Sequence, residues 1–383
     1  MRILITGGGT GGHVSPAVAV IACLRARSRA EGWPLDLLYL GSREGVERRI
    51  IGELGVPYAA VQTGKLRRYF SWRTPLDLAR IPVGVLQSAW QVARFRPDVI
   101  FSTGGYVCVP PVLAGRLLGV PAITHEQTVR SGLANRLASR FAQMVAISFP
   151  ESAAEFPPGR TVLTGNPLRP ELHGGDGARA AEYWHLDSDI PVIYVTGGAQ
   201  GAHAINTAIR AALPELLAVA QVVHQVGEGP EGSRADLRAA EVQAQSTPEA
   251  RARYRPVAFT GPELADLYVL ARLVIGRAGA GTVNELAALG KPAVLIPLPG
   301  TGSDEQTANA RRLEAAGGAV VLPQAECTPA RLAALVRDLL ADADRLARMA
   351  AEGRTLARPD AADALVRLIL KVARHAPNMG TSG

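Results

Sequence analysis

Long apolar runs are absent from the sequence. The longest near its start, Pro16 to Leu24, falls far short of the roughly 20 residues that cross a bilayer, so no membrane span is expected. The basic, apolar and small-residue order of a secretory signal is missing too, because Gly7 to Gly12 follows directly on Arg2-Ile-Leu-Ile-Thr6, and a cytoplasmic protein is expected. Cysteine is scarce: Cys23, Cys108 and Cys327 are isolated and odd in number, which excludes a disulfide framework and a Cys-x-x-Cys metal site. No His, Asp and Glu group has metal-ligand spacing, and neither a Gly-x-Ser-x-Gly elbow nor a Cys/His pair offers a covalent nucleophile. Asp187-Ser-Asp189 has the form of a metal-holding pair, but it precedes its strand and reads as a turn. Aromatic residues are only 5% of the 383, against 48% hydrophobic and 20% charged, the balance of a globular chain long enough for two domains. The 40 glycines and 27 prolines show no fixed period, which excludes collagen-like and low-complexity chains and leaves many sharp turns.

What is present begins with charge. The net charge is +7, and its location matters more than its size. Lys65, Arg67, Arg68, Arg73, Arg80, Arg94 and Arg96 face a single acid, Asp77, within one window. Interleaved with them are Phe70, Trp72, Leu76, Leu78, Ile81, Val85, Leu86 and Trp90. No nucleic-acid motif accompanies this mixture of cationic and bulky apolar groups, so an anionic membrane surface suits it as partner. The alternative is an amphipathic helix from Pro75 to Arg94 with Leu and Trp in the core and solvated arginines outside.

Short Val/Ile/Leu runs alternate with longer amphipathic segments, the signature of βαβ units and parallel sheets. Strands are expected at Arg2 to Thr6, Leu35 to Leu40, Asp98 to Ser102, Pro121 to Thr124, Met144 to Ile147 and Thr161 to Leu163. After a hinge near residue 164 they resume at Val192 to Thr196, Val222 to Gln225, Val257 to Phe259, Leu273 to Ile275, Ala293 to Ile296 and Ala319 to Leu322. The restart is an internal echo. Ile3-Leu-Ile-Thr-Gly-Gly-Gly-Thr-Gly-Gly-His13 and Ile193-Tyr-Val-Thr-Gly-Gly-Ala-Gln-Gly-Ala-His203 share a strand, Thr-Gly-Gly and a His before a helix. Two Rossmann-like α/β domains follow, at 1–163 and 164–383. Helical periodicity returns at Pro329 to Met349 and Ala361 to Ala373, and the last helix is expected to pack back on the N-terminal domain.

Gly7, Gly9 and Gly12 satisfy G-x-G-x-x-G after a strand, a loop that brings backbone N–H groups and a helix N-terminus to phosphate oxygens. NAD(P) is disfavoured, because the second strand ends in Gly41 and Asp36 opens it, whereas a ribose-binding acid belongs at its end. His13 follows the loop at a positive helix end, which keeps an imidazole neutral and able to accept a proton. A capping role is the plainer alternative. Glu126 ends another strand at the same edge, as an orienting carboxylate or a solvated loop acid. Gly279-Ala-Gly-Thr-Val-Asn-Glu285 runs from a strand into a helix, which again clears space for phosphate at a helix start. Glu285 there accepts from ribose hydroxyls or merely offsets the helix dipole. Glu305 and Gln306 read sugar hydroxyls or cap their helix.

Taken together, Gly7-Gly-Gly-Thr-Gly-Gly-His13, Thr103-Gly-Gly-Tyr106, Pro110-Pro111, His125-Glu-Gln127, Gly165-Asn-Pro-Leu-Arg169, Gly197-Gly-Ala-Gln-Gly-Ala202, Arg277-Ala-Gly-Ala-Gly-Thr-Val-Asn-Glu285 and Glu305-Gln-Thr-Ala-Asn309 resemble the MurG family of bacterial N-acetylglucosaminyltransferases. The resemblance covers nearly the whole chain. It implies the GT-B architecture, two Rossmann-like domains facing across a cleft, with a lipid acceptor on the first and UDP-GlcNAc on the second. It also implies inverting transfer of GlcNAc to the C4 hydroxyl of MurNAc in undecaprenyl-pyrophosphoryl-MurNAc-pentapeptide (lipid I), at the cytoplasmic face of the membrane, with no cofactor or metal required. Arg169, the loop with Ala199, Gln200 and Gly201, Thr260, Ala280, Gly281 and Glu285 would hold UDP, and Glu305 and Gln306 the sugar. His13, Tyr106 and Glu126 would face the acceptor, with His13 as base. The implied substrate contacts further include Thr10, Gly11, Gly12, Thr128, Asn135, Asn206, Arg277, Thr282 and Asn309. Thr128, Ala199 and Glu305 stand where the family commonly has Asn, Ser and Gln. A transferase for another lipid such as diacylglycerol, a UDP-GlcNAc 2-epimerase and a non-catalytic nucleotide-sugar-binding protein remain alternatives.

Overall fold

Short apolar runs, from three residues at Ala293–Leu295 to five at Val192–Thr196, are buried along their length, and such strands are stable only when helices cover both sides of their sheet. The computed structural model describes residues 1–9, 11–64, 74–229, 231–300 and 304–374, and in it these runs form two parallel sheets. The chain divides into two units, Met1–Arg169 with Arg358–Gly383, and Pro170–Ala357. Thr10, the stretch from Lys65 to Arg73 and residues 301–303 lie outside the described residues, as do the side chains of 74–80.

The first unit contains β1 (Arg2–Thr6), β2 (Asp36–Gly41), β3 (Tyr58–Ala60), β4 (Val99–Ser102), β5 (Ala122–Glu126), β6 (Met144–Ile147) and β7 (Thr161–Leu163). Their order is β3-β2-β1-β4-β5-β6-β7. Period-two alternation fills both faces: Ile3 and Ile5 enter one core with Tyr39, Phe101 and Ile123, and Leu4 enters the other with Leu40, Ile100 and Val112. Each fully buried side chain of this kind contributes about 1.5–3 kcal/mol. The C-terminal helix Ala361–Arg374 packs on the helix Gly11–Glu31 and adds Leu365, Val366 and Ile369 to the same core. The segment from 164 to 169 also lies in this unit, tied by Thr164 N–H to Ile147 O at 3.0 Å. The last helix, expected to pack back on the N-terminal domain, lies in this unit, and the segment 164–169, which a division at 163/164 gives to the second domain, belongs to the first as well.

The second unit contains β8 (Val192–Thr196), β9 (Gln221–Gln225), β10 (Tyr254–Val257), β11 (Ala271–Gly276), β12 (Ala293–Leu295) and β13 (Ala319–Val321), ordered β10-β9-β8-β11-β12-β13. Strand β10 starts earlier than its apolar residues suggest, because Tyr254 pairs with Val222 and the chain beyond Val257 turns to hand Thr260 N–H to Gln225. The expected helix at 329–349 is two, Pro329–Ala341 and Ala343–Arg354, since Asp342 breaks the run and caps the second by accepting from Arg345 N–H at 2.8 Å. Asp187 accepts from Asp189 N–H at 2.9 Å, the turn expected before β8. Asp36 opens β2 beside Arg2, 3.7 Å away and largely exposed.

Candidate active site

In each sheet the chain order reverses at one place, between β1 and β4 and between β8 and β11. Loops leaving the carboxyl ends of such neighbours diverge and open a crevice, where α/β sheets bind ligands. In the first unit that crevice is edged by Gly7–Gly9, the start of the helix Gly11–Glu31 and Thr103–Tyr106. Gly8 and Gly9 have φ of +138° and +87°, and added Cβ atoms would lie 2.6 Å from the Glu47 carboxyl and 2.5 Å from the Tyr106 ring. Only glycine fits between these two groups.

Glu47 carries no sequence signal for this role, since it reads as a surface acid in the helix Val46–Glu53. It is wholly buried. Its carboxylate accepts from Gly9 N–H at 3.3 Å and from Ser42 N–H and Oγ–H at 3.0 and 2.5 Å. Tyr39 donates to Gly7 O at 2.9 Å, supporting the loop from β2. Burial, with Glu47 adding, pushes the Tyr39, Tyr58 and Tyr106 hydroxyls up, so all three stay protonated donors at neutral pH.

His13 sits in the first turn of its helix with Nδ1 3.2 Å from Thr103 O and 3.0 Å from Gln127 Oε1. Its Nε2 has no hydrogen-bond partner among the described residues. Glu126 is buried rather than solvated. Burial raises its pKa, opposed by hydrogen bonds and by His13 nearby. Its Oε1 accepts from Thr128 N–H and Oγ–H at 2.9 and 2.6 Å, and its Oε2 from Asn135 Nδ2 at 2.8 Å. The carboxylate therefore fixes the turn after β5 through Thr128 and Asn135, which also meet Arg130 O and His125 O.

In the second unit the loop Gly197–Gly201 is shaped by Gly198 N–H donating to Thr196 Oγ1 at 3.0 Å, and Ala199 and Gln200 are exposed at its tip. Gln225 was not legible as a site residue. Its Oε1 accepts from Thr260 N–H and Oγ–H at 3.0 and 2.5 Å, and its Nε2 donates to Thr196 Oγ1 at 3.1 Å. It thus joins the two loops flanking β9. The helix Ala280–Leu289 begins after an extended Gly279 with no side-chain cap, which leaves the N–H groups of Ala280, Gly281 and Thr282 facing a site where an anion is favoured. One turn in, half-buried Glu285 accepts from Tyr268 O–H at 3.0 Å, and Tyr268 stacks edge-on against Tyr194.

Two expected substrate contacts carry internal partners. Asn206 is fully buried, with Nδ2 on Val226 O and Asp236 at 3.1 Å and Oδ1 on His224. Its hydrogen-bonding capacity is used inside the unit. Arg277 donates to Ile296 O at 3.0 Å and Gln324 Oε1 at 2.7 Å, a brace between the ends of β11 and β12. Asn309 is buried and holds Ala278 O at 3.2 Å, and Gln306 Oε1 accepts from Leu298 N–H at 3.0 Å. Glu305 opens the helix Glu305–Ala315, and Arg169 is the last residue of the first unit's main segment. His203, the echo of His13, holds the Asp236 carboxylate through Nδ1 at 2.9 Å.

Residues 3–147 match the model of the glycosyltransferase family 28 N-terminal domain, and residues 192–365 match that of its C-terminal domain. A UDP-N-acetylglucosamine--N-acetylmuramyl-(pentapeptide) pyrophosphoryl-undecaprenol N-acetylglucosamine transferase of Geobacillus thermodenitrificans is 39% identical over 350 residues, 90% of this chain and 92% of the relative. The crystal structure of Acinetobacter baumannii MurG superposes with a TM-score of 0.74 at 30% identity, covering 97% of this chain and 99% of that one. A Neisseria meningitidis UDP-GlcNAc 2-epimerase shares the fold at a TM-score of 0.69, with 13% identity over 97% of this chain and 100% of that one. With both domain models matched in order and relatives this similar along nearly its whole length, the chain belongs to glycosyltransferase family 28, whose paired Rossmann-like domains make the GT-B fold.

Proposed function

We propose that the protein transfers N-acetylglucosamine from UDP-GlcNAc to the C4 hydroxyl of MurNAc in undecaprenyl-pyrophosphoryl-MurNAc-pentapeptide, converting lipid I to lipid II with inversion at the anomeric carbon. The observation that carries this reading is His13 at the β1 switch point, anchored through Nδ1 with Nε2 unpartnered among the described residues. As the acceptor oxygen bonds to the anomeric carbon, its proton passes to His13 Nε2 and the bond from that carbon to the diphosphate breaks. The leaving charge falls to the uncapped start of the helix Ala280–Leu289 and to Arg169, and Glu285 takes ribose hydroxyls. Helix N–H groups stabilise such charge by position alone. Glu126 holds the acceptor loop through Thr128 and Asn135, while Glu305 and Gln306 take the donor sugar. Labelled UDP-GlcNAc incubated with a short-chain lipid I analogue tests the assignment. Label in the disaccharide product supports it; label retained in the nucleotide sugar, or epimerised UDP-sugar, opposes it.

The same reading places the first unit on an anionic membrane at the cytoplasmic face, where the acceptor's lipid tail is held. No described helix is long and apolar enough to cross a membrane. The helix Thr74–Phe95 buries Gly84, Ser88 and Val92 but exposes Val83, Leu86 and Trp90 by 41, 72 and 60%. The Arg94 guanidinium lies 5.7 Å from the Trp90 ring centroid. Leu86 and Trp90 are therefore not core residues, and the helix presents an apolar and cationic face. Apolar burial in the interface combines with about 1 kcal/mol per basic residue near anionic lipid. Phosphatidylglycerol vesicles should sediment the parent but not Leu86→Glu/Trp90→Glu, with soluble-acceptor turnover retained. Equal sedimentation of both would remove this face from membrane binding.

A further inference from the structure

We propose that Gln127 is a positioning residue, which holds the His13 imidazole with its hydrogen on Nδ1 and its lone pair on Nε2. The proposal rests on the reading of His13 as the base and explains how the base is kept ready. A hydrogen count through three buried groups leads to it.

Gln127 is buried, and one end of its amide lies 2.7 Å from Thr103 O and 3.1 Å from His125 O. Carbonyl oxygens only accept, so this end is the NH₂ group. Its third neighbour is His125 Nδ1 at 3.1 Å. His125 Nε2 is 3.0 Å from Gly165 O and therefore carries the ring hydrogen, leaving Nδ1 as an acceptor. Ser148 agrees: its hydroxyl donates to Glu126 O at 2.9 Å, and its oxygen faces His125 Nε2 at 3.3 Å. Burial pushes His125 down to about 4, which keeps the ring singly protonated at neutral pH.

With three acceptors around its NH₂, the Gln127 amide has one orientation, and its Oε1 is turned to His13 Nδ1 at 3.0 Å. Thr103 O, 3.2 Å from the same nitrogen, is a second acceptor. A bare Nδ1 would set its lone pair against two oxygens, leaving both acceptors without a donor. The hydrogen therefore stays on Nδ1. The neutral amide achieves this without adding negative charge. In the second unit a carboxylate, Asp236, holds the echo residue His203 instead. Of the titratable groups nearby, His125 and Glu126 are the ones whose own ionisation responds to His13.

Nitrogen-15 spectra of the histidine-labelled protein, assigned by His13→Ala, distinguish the two ring forms directly. The expected result in the parent is a protonated Nδ1 and a bare Nε2 on His13; the reverse form would overturn the proposal. Gln127→Met keeps the volume and removes the amide. It should bring the second tautomer into view and lower kcat about tenfold, with the KM values for donor and acceptor within about twofold. In a His13→Ala background the same substitution should cost nothing further, because its effect runs through the imidazole. An equal loss in both backgrounds would assign Gln127 a general structural role and refute the proposal. Full turnover by His13→Ala alongside the expected spectra would reject the base and leave the tautomer control standing.

Discussion

Replacing Glu47 by Gln is the sharpest probe of how the first glycine loop is held. The carboxylate accepts from Gly9 N–H at 3.3 Å and from both donors of Ser42 at 3.0 and 2.5 Å. A glutamine of the same size keeps one oxygen for Ser42 and turns an NH₂ toward Gly9 N–H, donor against donor. Hydrogen bonds to charged groups contribute about 1.5–3 kcal/mol, and the long Gly9 contact belongs at the lower end, so a loss of about 1.5 kcal/mol is expected. For a domain of this size that lowers Tm by about 3–6 °C. The Tyr106 ring rests on Gly9, so loosening the loop disturbs the acceptor side first. Initial rates with each substrate varied should show a severalfold rise in acceptor KM with donor KM unchanged. Matching increases in both, or a fall in Tm with normal kinetics, would refute the assignment of Glu47 to this loop.

Glu285→Ala should weaken UDP binding by about 1.5–3 kcal/mol through loss of a charged acceptor for ribose hydroxyls; calorimetry giving parental affinity would remove Glu285 from ribose binding. Stability should fall on acidification. Burial holds His125 at about 4 and His224 at about 3, below the unfolded value near 6.5, so the unfolded chain binds more protons below that value. Their contribution is complete above about pH 6.5 and is lost as the pH falls toward 4, each ring giving up roughly 1.4 kcal/mol for every pH unit within that window. A Tm that stays level between pH 7 and pH 4.5 would contradict neutral burial of these two histidines.

Strand-forming runs were legible because both faces of each sheet are covered, so Arg2–Thr6, Met144–Ile147 and Val192–Thr196 stand where their apolar residues put them. The glycine loops and His13 were legible for a related reason: a tight strand-to-helix turn needs small residues whatever the rest of the fold. Strand β3 escaped notice, since three residues with two alanines carry no period. Glu47 was hidden because only tertiary packing turns a helix acid inward. Asn206 misled in the opposite sense. Its side chain suits a ligand, yet Val226 O, Asp236 and His224 already engage it, and such partners appear only when distant segments meet. The last helix, expected on the N-terminal domain, packs there against the helix Gly11–Glu31, with Leu365 and Ile369 in its core.

The most direct test of the central claim compares transfer of labelled GlcNAc from UDP-GlcNAc to the short-chain lipid I analogue by the parent and by His13→Ala. The account predicts a loss of about 10²-fold or more in kcat, the range for removal of a general base, in a variant that melts like the parent and binds UDP normally. Unchanged turnover in that folded variant would remove His13 from the chemistry and pass the role of base to Glu126.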